Sequence, residues 1–370
     1  MNKRKVRQVL GISGGKDSAA LAVYLKTKYP QLDIEYYFCD TGKELKETYR
    51  IIENLEIFLG KKIKKLRAAK GFPGDPFDYF YNLYRGYLPS SQARWCTRKL
   101  KLEPFEEFVA NDPVISYVAI RGDEEREGYI SRKPNIQSIF PFRKNIWSLD
   151  VIDKVFDNKN SFILSGIYKK KIKNDRISDM VSEILCKKIS PDYTRSQKLK
   201  ELLSIDVVGF NKVVFDFLKT THYPLSYLET YPLTDNEDVL IREDIFNILE
   251  ESGVGVPGYY KSVEFTVNGE KGNYARSRSG CFFCFFQQKI EWVWLYEQHP
   301  DLFKKAMEYE ESGFTWTEEE KLEDLIKPDR IRKIKEDYLK LNDNSSSQKS
   351  EFLIDILNIA EEEGCAACFV

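Results

Sequence analysis

Within its first twenty residues the chain carries a loop whose residue types suit a phosphate. The stretch from residue 13 to residue 18 is SGGKDS. Gly14 and Gly15 lack Cβ atoms, so a phosphate can approach the backbone closely there. Ser13 and Ser18 offer hydroxyl donors, and Lys16 supplies a positive charge. This combination predicts a site for the phosphate groups of a nucleotide.

A predicted strand and a predicted helix flank this loop. The residues VRQVLGI at 6–12 are rich in β-branched side chains and predict a strand. The residues SAALAVYLKTKY at 18–29 place apolar side chains at helical spacing. A strand, a tight glycine loop and a helix direct free backbone N–H groups at an anion. The glycine spacing excludes both the Walker loop and the Gly-x-Gly-x-x-Gly dinucleotide motif.

Further polar segments follow two other predicted strands. The strand at 34–40 leads into DTGKELKET, where Asp40, Thr41 and Gly42 are suited to bind a ribose or a magnesium ion. A helix cap is the alternative for this segment. Arg121 directly follows the predicted strand at 114–120, and its planar guanidinium suits recognition of phosphate or sulfate. Ligands of parallel sheets bind beyond the carboxyl ends of the strands, which is where all three segments lie.

Cysteine usage indicates metal or redox sulfur chemistry. Seven cysteines are an odd number, which argues against a disulfide framework. Cys281 and Cys284 in GCFFCFF have the spacing of a metal-ligand pair, and at least one more ligand must come from elsewhere. Cys96 in ARWCTRKLKLEPF lies among cations that favour its thiolate. We expect an iron–sulfur cluster on these three cysteines; a zinc site and free thiols are the alternatives.

The order of predicted elements gives an α/β fold, a mostly parallel sheet with helices on both faces. We divide the chain into a nucleotide-binding core at 1–142, a mainly helical insertion at 143–228, a second core part with the cysteine pair at 229–340, and a linker and cysteine-containing tail at 341–370. In that tail, Cys365 and Cys368 are expected to act as a mobile pair that visits the active site. Incidental cysteines in a disordered end are the alternative.

Composition excludes several classes of protein. No stretch approaches 18 apolar residues, so we expect no membrane span, and the first residues, MNKRKVRQV, do not resemble a secretory signal. The expected location is therefore the cytoplasm. The formal net charge of −1 gives no overall case for nucleic-acid binding, although a local basic patch is compatible with it.

These motifs resemble a known family. SGGKDS resembles the pyrophosphate loop (PP-loop) of the N-type ATP pyrophosphatases, which cleave ATP between the α and β phosphates. Together with DTGKELKET, RWCTRKLKLEPF, IRGDEEREG and GCFFCFF it occurs in the order seen in the phosphoadenosine phosphosulfate (PAPS) reductase family, over about residues 5–142 and 229–311. The resemblance implies an adenine nucleotide α-hydrolase-like, Rossmann-like fold with a C-terminal helical part.

The resemblance also implies roles for individual residues. ATP and a magnesium ion near Asp17 or Asp40 are the implied ligands, and Lys16 and Asp17 are expected to be exposed in the site. The implied catalytic residues are Lys16, Asp17 and Arg121. The implied nucleotide-binding residues are Ser13, Gly14, Gly15, Lys16, Asp17, Ser18, Asp40, Thr41 and Gly42.

Iron–sulfur members of this family hold a [4Fe-4S] cluster with a Cys-Cys dipeptide and a later Cys-x-x-Cys. Here the dipeptide is replaced by Trp95 and Cys96, so three of the four ligands match: Cys96, Cys281 and Cys284. The missing ligand puts an ordinary four-cysteine cluster in doubt.

The complete SGGKDS loop favours ATP hydrolysis, and within the family the chain most resembles the DndC/SspD-type proteins of bacterial DNA phosphorothioation. This implies adenylylation of an acceptor, the DNA backbone, followed by sulfur insertion. The implied partners are a cysteine desulfurase as sulfur donor and DNA or a DNA-binding protein. Two alternatives remain open: a reductase of PAPS or adenosine phosphosulfate, and a non-catalytic scaffold controlled by a nucleotide.

Overall fold

A five-stranded parallel sheet forms the centre of the molecule. The computed structural model describes residues 5–125, 131, 133–318 and 320–347. The sheet strands are β1 (Arg7–Gly11), β2 (Ile34–Cys39), β3 (Lys64–Leu66), β4 (Val114–Tyr117) and β5 (Ile136–Ile139). Their order is β3-β2-β1-β4-β5, and every pairing is parallel. The connection after β1 leads to β2 on one side and the connection after β4 leads to β5 on the other, so the carboxyl ends of β1 and β4 lie at the point where such sheets bind ligands.

Fifteen helices are assigned within the described residues. They are α1 (Lys16–Lys28), α2 (Lys46–Leu59), α3 (Pro76–Leu83), α4 (Trp95–Thr97), α5 (Glu103–Val109), α6 (Leu149–Val155), α7 (Ser161–Lys171), α8 (Asp175–Cys186), α9 (Arg195–Ile205), α10 (Val207–Leu218), α11 (Arg242–Glu251), α12 (Lys289–Gln298), α13 (Pro300–Glu308), α14 (Leu322–Leu325) and α15 (Pro328–Ser347). An antiparallel hairpin, β6 (Val263–Val267) and β7 (Glu270–Tyr274), lies between α11 and α12. None of the described helices is long and apolar enough to cross a membrane.

Helices cover both faces of the sheet. Successive strand residues point to opposite sides, so apolar residues along each strand supply a core on each face. Leu10 and Phe38 belong to a large apolar cluster that includes α1 and α2. Val9 and Tyr37, their chain neighbours, belong to a smaller cluster with Phe105 of α5. The predicted fold class, a mostly parallel α/β sheet with helices on both faces, is confirmed.

Helix α4 continues into α5 through one wide turn, a π-helical segment at Arg98–Leu102. Pro104, in the first turn of α5, has no N–H to donate to the carbonyl four residues earlier. A turn with bonds to the fifth residue avoids this missing hydrogen bond, which accounts for the wide segment. The segment carries Lys99 and Lys101, so it orients two cations of the sequence motif.

The helices between residues 149 and 218 share the core of the sheet. Leu164 of α7, Val181 of α8 and Phe210 of α10 belong to the same apolar cluster as Leu10 of the central strand. A hydrogen bond links these helices to the sheet. The indole Nε1 of Trp147, which follows β5, donates to the side-chain oxygen of Asn211 in α10 at 2.9 Å, and both residues are buried. The segment boundaries given by the sequence stay a prediction, but this packing argues against separate cores.

A second apolar core lies among the later elements. Phe283, Trp292 and Trp316 pack there with Phe77 of α3, and Phe283 stacks on Trp316 with centroids 4.6 Å apart. The sequence did not predict β5 or the β6–β7 hairpin. β5 is only four residues long. In the hairpin, only two residues of β6 and two of β7 are buried, so the apolar pattern of these strands is weak.

We expect Asn211→Ala to lower the free energy of unfolding by about 2 kcal/mol, because it leaves the buried Trp147 N–H without an acceptor and opens a small cavity. Urea unfolding followed by tryptophan fluorescence measures this change. Asn82→Ala is the control: Asn82 is an exposed residue of α3, and its loss should change stability by less than about 0.5 kcal/mol. Two separate transitions in the Asn211 variant would contradict the shared core.

Candidate active site

The SGGKDS loop connects the carboxyl end of β1 to the first turn of α1. Gly14 adopts a positive φ of 75°, and a Cβ atom at this position would lie 2.3 Å from the Thr48 methyl group of α2. Tyr259 donates its hydroxyl hydrogen to the Gly14 carbonyl at 2.7 Å. Only glycine therefore combines this backbone conformation with this close approach. The loop is held from two sides by side chains far away in sequence.

Hydrogen bonds between serines close the loop on itself. The Ser13 N–H donates to Ser18 Oγ at 3.1 Å, and the two serine hydroxyl oxygens lie 3.0 Å apart. Ser279 reaches the same group from the second core, with its Oγ 3.4 Å from Ser13 Oγ. A Cβ atom on Gly15 would lie only 2.6 Å from the Ser279 hydroxyl oxygen. Packing thus favours glycine at both positions, and the loop leads into the N-terminal end of α1, the end of a helix that favours an anion.

Lys16 and Asp17 are buried, and the expectation that they are exposed is wrong. Their exposed fractions are 1% and 8%. Lys16 Nζ donates to Asp17 at 2.9 Å, and Arg121 Nη1 donates to the other Asp17 oxygen at 3.0 Å. Burial alone would raise the pKa of Asp17, but the charges of Lys16 and Arg121 outweigh it and lower the pKa to about 2.

Arg121 is fully buried and surrounded by carboxylates of the chain. Asp17 and Glu124 each lie 3.0 Å from its Nη1, and Asp123 lies 2.9 Å from its Nε. A buried guanidinium needs such partners, since an uncompensated charge in the interior is costly. This arrangement makes Arg121 a positioning residue for the loop in this structure, whereas a direct contact with substrate stays a prediction.

Asp40, Thr41 and Gly42 lie beyond the end of β2, as predicted, but a residue that the sequence did not single out organises them. Glu44 accepts a hydrogen bond from the Thr41 hydroxyl at 2.6 Å and shares the Tyr49 hydroxyl with Asp40. Burial raises the pKa of Glu44, and the Asp40 charge adds to this effect while the Thr41 hydrogen bond opposes it. The spacing of four residues between Asp40 and Glu44 is the sequence feature that could have indicated this role of Glu44.

The three predicted cysteine ligands line one cleft with an empty volume of about 500 Å³. Ser279 and Gly280 form part of its wall and also border a smaller pocket that contains Ser13 and Glu44. Lys101 lines both spaces. The structure therefore brings the thiols of the cleft next to the phosphate loop, although Cys96 lies 78 residues and Cys281 lies 263 residues after Ser18 in sequence.

The cleft residues do not fit an iron–sulfur cluster. Among the residues that the structure describes, no group of three or more His, Cys, Asp or Glu side chains is arranged to hold a metal ion. Trp95, at the place of the fourth ligand, is a packing residue: its indole donates to the Tyr87 carbonyl at 3.1 Å and its ring lies 5.1 Å from Phe77. Cys281 instead lies 3.2 Å from the Thr41 hydroxyl, and burial raises the pKa of its thiol.

A magnesium ion has limited protein donors in this site. The Asp17 carboxylate is occupied by Lys16 and Arg121, which excludes one of the two expected positions. Asp40 accepts from the Gly42 N–H and the Tyr49 hydroxyl through one oxygen. Because magnesium in nucleotide sites is held by one or two carboxylates and the substrate phosphates, Asp40 is the residue that fits it.

Tyr259, Tyr260 and Ser279 are contacts of the loop that the sequence did not indicate. Tyr260 lies close to the start of α1, with its hydroxyl 3.4 Å from the Lys16 amide and its ring 5.4 Å from the Lys16 ammonium. No motif spacing links these residues to the loop. Cys365 and Cys368 lie outside the described residues, so their expected role stays a prediction.

Comparison with known proteins agrees with this geometry. Residues 7–141 match the phosphoadenosine phosphosulfate reductase domain. Two uncharacterized proteins of Methanocaldococcus jannaschii are 31% and 29% identical, over 42% and 40% of this chain and 34% and 36% of their own lengths. The tRNA-specific 2-thiouridylase MnmA of Actinobacillus pleuropneumoniae is 25% identical over 34% of this chain and 33% of that protein.

The chain spans about one third of the length of the curated relatives it matches. No solved structure matches it significantly. The segment that matches the reductase domain contains β1 to β5 and the phosphate loop, so the similarity covers the part of the chain that forms the candidate nucleotide site.

Gly14→Ala should both destabilise the protein and weaken ATP binding, because the new methyl group would overlap Thr48. Gly253→Ala is a matched control. Gly253 has a similar φ of 73°, but nothing lies within 4 Å of its added Cβ, so the change should cost only about 1 kcal/mol of backbone strain. Thermal unfolding and ATP titration calorimetry separate the two effects. Equal losses in both variants would show that the Thr48 contact is unimportant.

Asp17→Asn should lower the free energy of unfolding by about 3 kcal/mol near pH 7, since it removes one carboxylate from a buried charge cluster. The Asp17 pKa is lowered on folding from 3.8 to about 2, so its ionised form stabilises the fold above pH ~4. That contribution is lost as pH falls toward ~2. The difference between wild type and variant should therefore shrink below pH ~4 in urea titrations. A pH-independent difference would contradict this assignment.

Proposed function

We propose that the protein splits ATP into AMP and pyrophosphate, adenylylates an acceptor and takes part in sulfur transfer to it. The observation that carries the proposal is the position of the closed SGGKDS loop beside a cleft lined by three cysteines. A phosphate loop alone is compatible with many reactions. The adjacent thiols connect nucleotide activation with sulfur chemistry.

In this proposal the backbone amides of the loop and the first turn of α1 bind the β and γ phosphates. Lys16 neutralises charge that develops on the leaving pyrophosphate, and the Asp17–Arg121 pair holds the first turn of α1 in place. A magnesium ion bound by Asp40 and the phosphates would lower the negative charge of the polyphosphate.

An acceptor oxygen attacks the α-phosphorus, the bond between the α-phosphorus and the bridging oxygen breaks, and pyrophosphate leaves with the electron pair. The terminal sulfur of a persulfide, supplied by a cysteine desulfurase, then attacks the activated acceptor and AMP leaves. A second thiol attacks the remaining S–S bond, which leaves a disulfide and the thiolated acceptor. Cys96, Cys281 and Cys284 are the thiols placed to carry out these exchanges, and a dithiol reductant must restore them.

We propose a nucleic acid, the DNA backbone, as acceptor. Residues 143–228 contain sixteen lysines and arginines against ten aspartates and glutamates, a net charge of +6 in a chain whose total is −1. Such an asymmetry favours a polyanionic partner. The name of one relative, a tRNA-specific 2-thiouridylase, also joins sulfur transfer to a nucleic acid.

The test is an ATP turnover assay with and without a cysteine desulfurase and DNA. We expect AMP and pyrophosphate, with the rate reduced about 100-fold or more by Lys16→Ala. Lys26→Ala on the exposed part of the same helix is the control and should leave turnover unchanged. Radiolabelled sulfur in the DNA would identify the acceptor.

Other products would favour the alternatives. Release of ADP would refute the pyrophosphatase proposal. Conversion of PAPS to sulfite with a thiol donor and no use of ATP would favour a reductase. Tight nucleotide binding with no turnover under any condition would favour the scaffold.

A further inference from the structure

Two arginines from distant parts of the chain border one aromatic ring at the edge of the cysteine cleft. The guanidinium carbon of Arg94 lies 4.9 Å from the ring centroid of Phe286, and that of Arg278 lies 5.5 Å from it. Phe286 forms part of the cleft wall together with Cys96 and Cys284. Each cation gains from the face of the ring, but two like charges around one ring repel each other.

Two donors of the Arg278 guanidinium have no acceptor within the part of the chain that the structure describes. Its Nε and Nη1 atoms are buried and have no hydrogen-bond partner among the described residues. Buried donors of native proteins are almost always paired, and a charged donor without a partner is costly. An anion bound at one edge of the guanidinium would pair with Nη2 and one of these two nitrogens, since each edge of the planar fork matches a tetrahedral oxyanion.

The described wall of the cleft is mostly apolar, and its single charged side chain is a cation, so the wall carries no charge that would repel an anion. Lys101 lines it, and no aspartate or glutamate is among its described lining residues. The residue after Arg278 is Ser279, whose hydroxyl contacts Ser13 of the phosphate loop. An anion held by Arg278 would lie at the edge of the cysteine cleft that Phe286 lines.

We infer that Arg94 and Arg278 form a subsite for the phosphoryl oxyanion of the acceptor, separate from the nucleotide phosphates. The inference deepens the proposed function, because it assigns the contact that holds the acceptor next to the thiols. A phosphodiester of a single-stranded nucleic acid and the phosphosulfate of a small sulfonucleotide share this chemistry. Phe286 adds an aromatic surface on which a base can stack.

The experiment compares Arg278→Ala, Arg278→Lys and Arg94→Ala with wild type. Fluorescence anisotropy measures binding of a short fluorescein-labelled single-stranded DNA, and calorimetry measures binding of PAPS and of ATP. We expect Arg278→Ala to weaken DNA binding about tenfold or more. It should also reduce the slope of log affinity against log salt by about 0.7, the value for one lost single-strand phosphate contact. Arg278→Lys should keep the salt slope and lose part of the affinity.

Arg98→Ala is the matched control, because Arg98 is an exposed cation of the same segment as Arg94 that pairs with Glu103. It should leave DNA binding unchanged. Thermal unfolding of each variant verifies that it folds. If Arg278→Ala fails to fold, Arg94→Ala still tests the subsite, because Arg94 is exposed.

The outcomes separate the ligand sources. Loss of DNA binding with PAPS binding retained supports a nucleic-acid phosphodiester, and the reverse supports a phosphosulfate in the same subsite. Unchanged binding of both, or an equal loss of ATP binding, would overturn the inference. If wild type releases no pyrophosphate but the arginine variants still lose DNA binding, the proposed activity fails and the subsite stands.

Discussion

The site depends on a buried ion pair between Asp17 and Arg121, which are 104 residues apart. Asp17 lies in the first turn of α1 and Arg121 lies beyond the end of β4. Because both are removed from water, each charge needs partners of opposite sign, and the contact between them fixes the helix start relative to the sheet. The geometry of the phosphate loop therefore follows from an electrostatic requirement of the interior. Lys16 belongs to the same cluster, so the cation of the motif is positioned by the pair that anchors the helix.

The later part of the chain, which forms the second apolar core, also supplies contacts to the phosphate loop. Tyr259, Tyr260 and Ser279 contact the loop from positions more than 240 residues away. A Cβ atom on Gly15 would come too close to Ser279 of the second core. A Cβ atom on Gly14 would come too close to Thr48 of α2. Packing between the two cores thus sets the shape of the nucleotide site, and a change in that packing would alter the conformation of the loop.

The cysteine cleft has a chemistry that differs from a metal centre. Trp95 fills the place of a fourth ligand with an indole that packs on Phe77, and Cys281 faces a hydroxyl. Lys101 lines the cleft with the thiols, and Arg94 and Arg278 lie at the Phe286 ring on its edge. Thiols next to a phosphate loop, with cations in the same region, suit the proposed sulfur exchange on an anionic acceptor.

The sequence by itself determined the strands β1 to β4, the loop between β1 and α1 and the approximate place of each polar segment. These are local properties: β-branched runs, helical spacing and glycine pairs follow from short-range sterics and hydrophobic periodicity. It could not show that Lys16 and Asp17 are buried, that Glu44 organises Asp40 and Thr41, or that Arg94 and Arg278 both lie close to the Phe286 ring. Those facts depend on which distant side chains share a dry environment, and only the tertiary structure decides whether a charged residue is solvated, paired or left to bind a ligand.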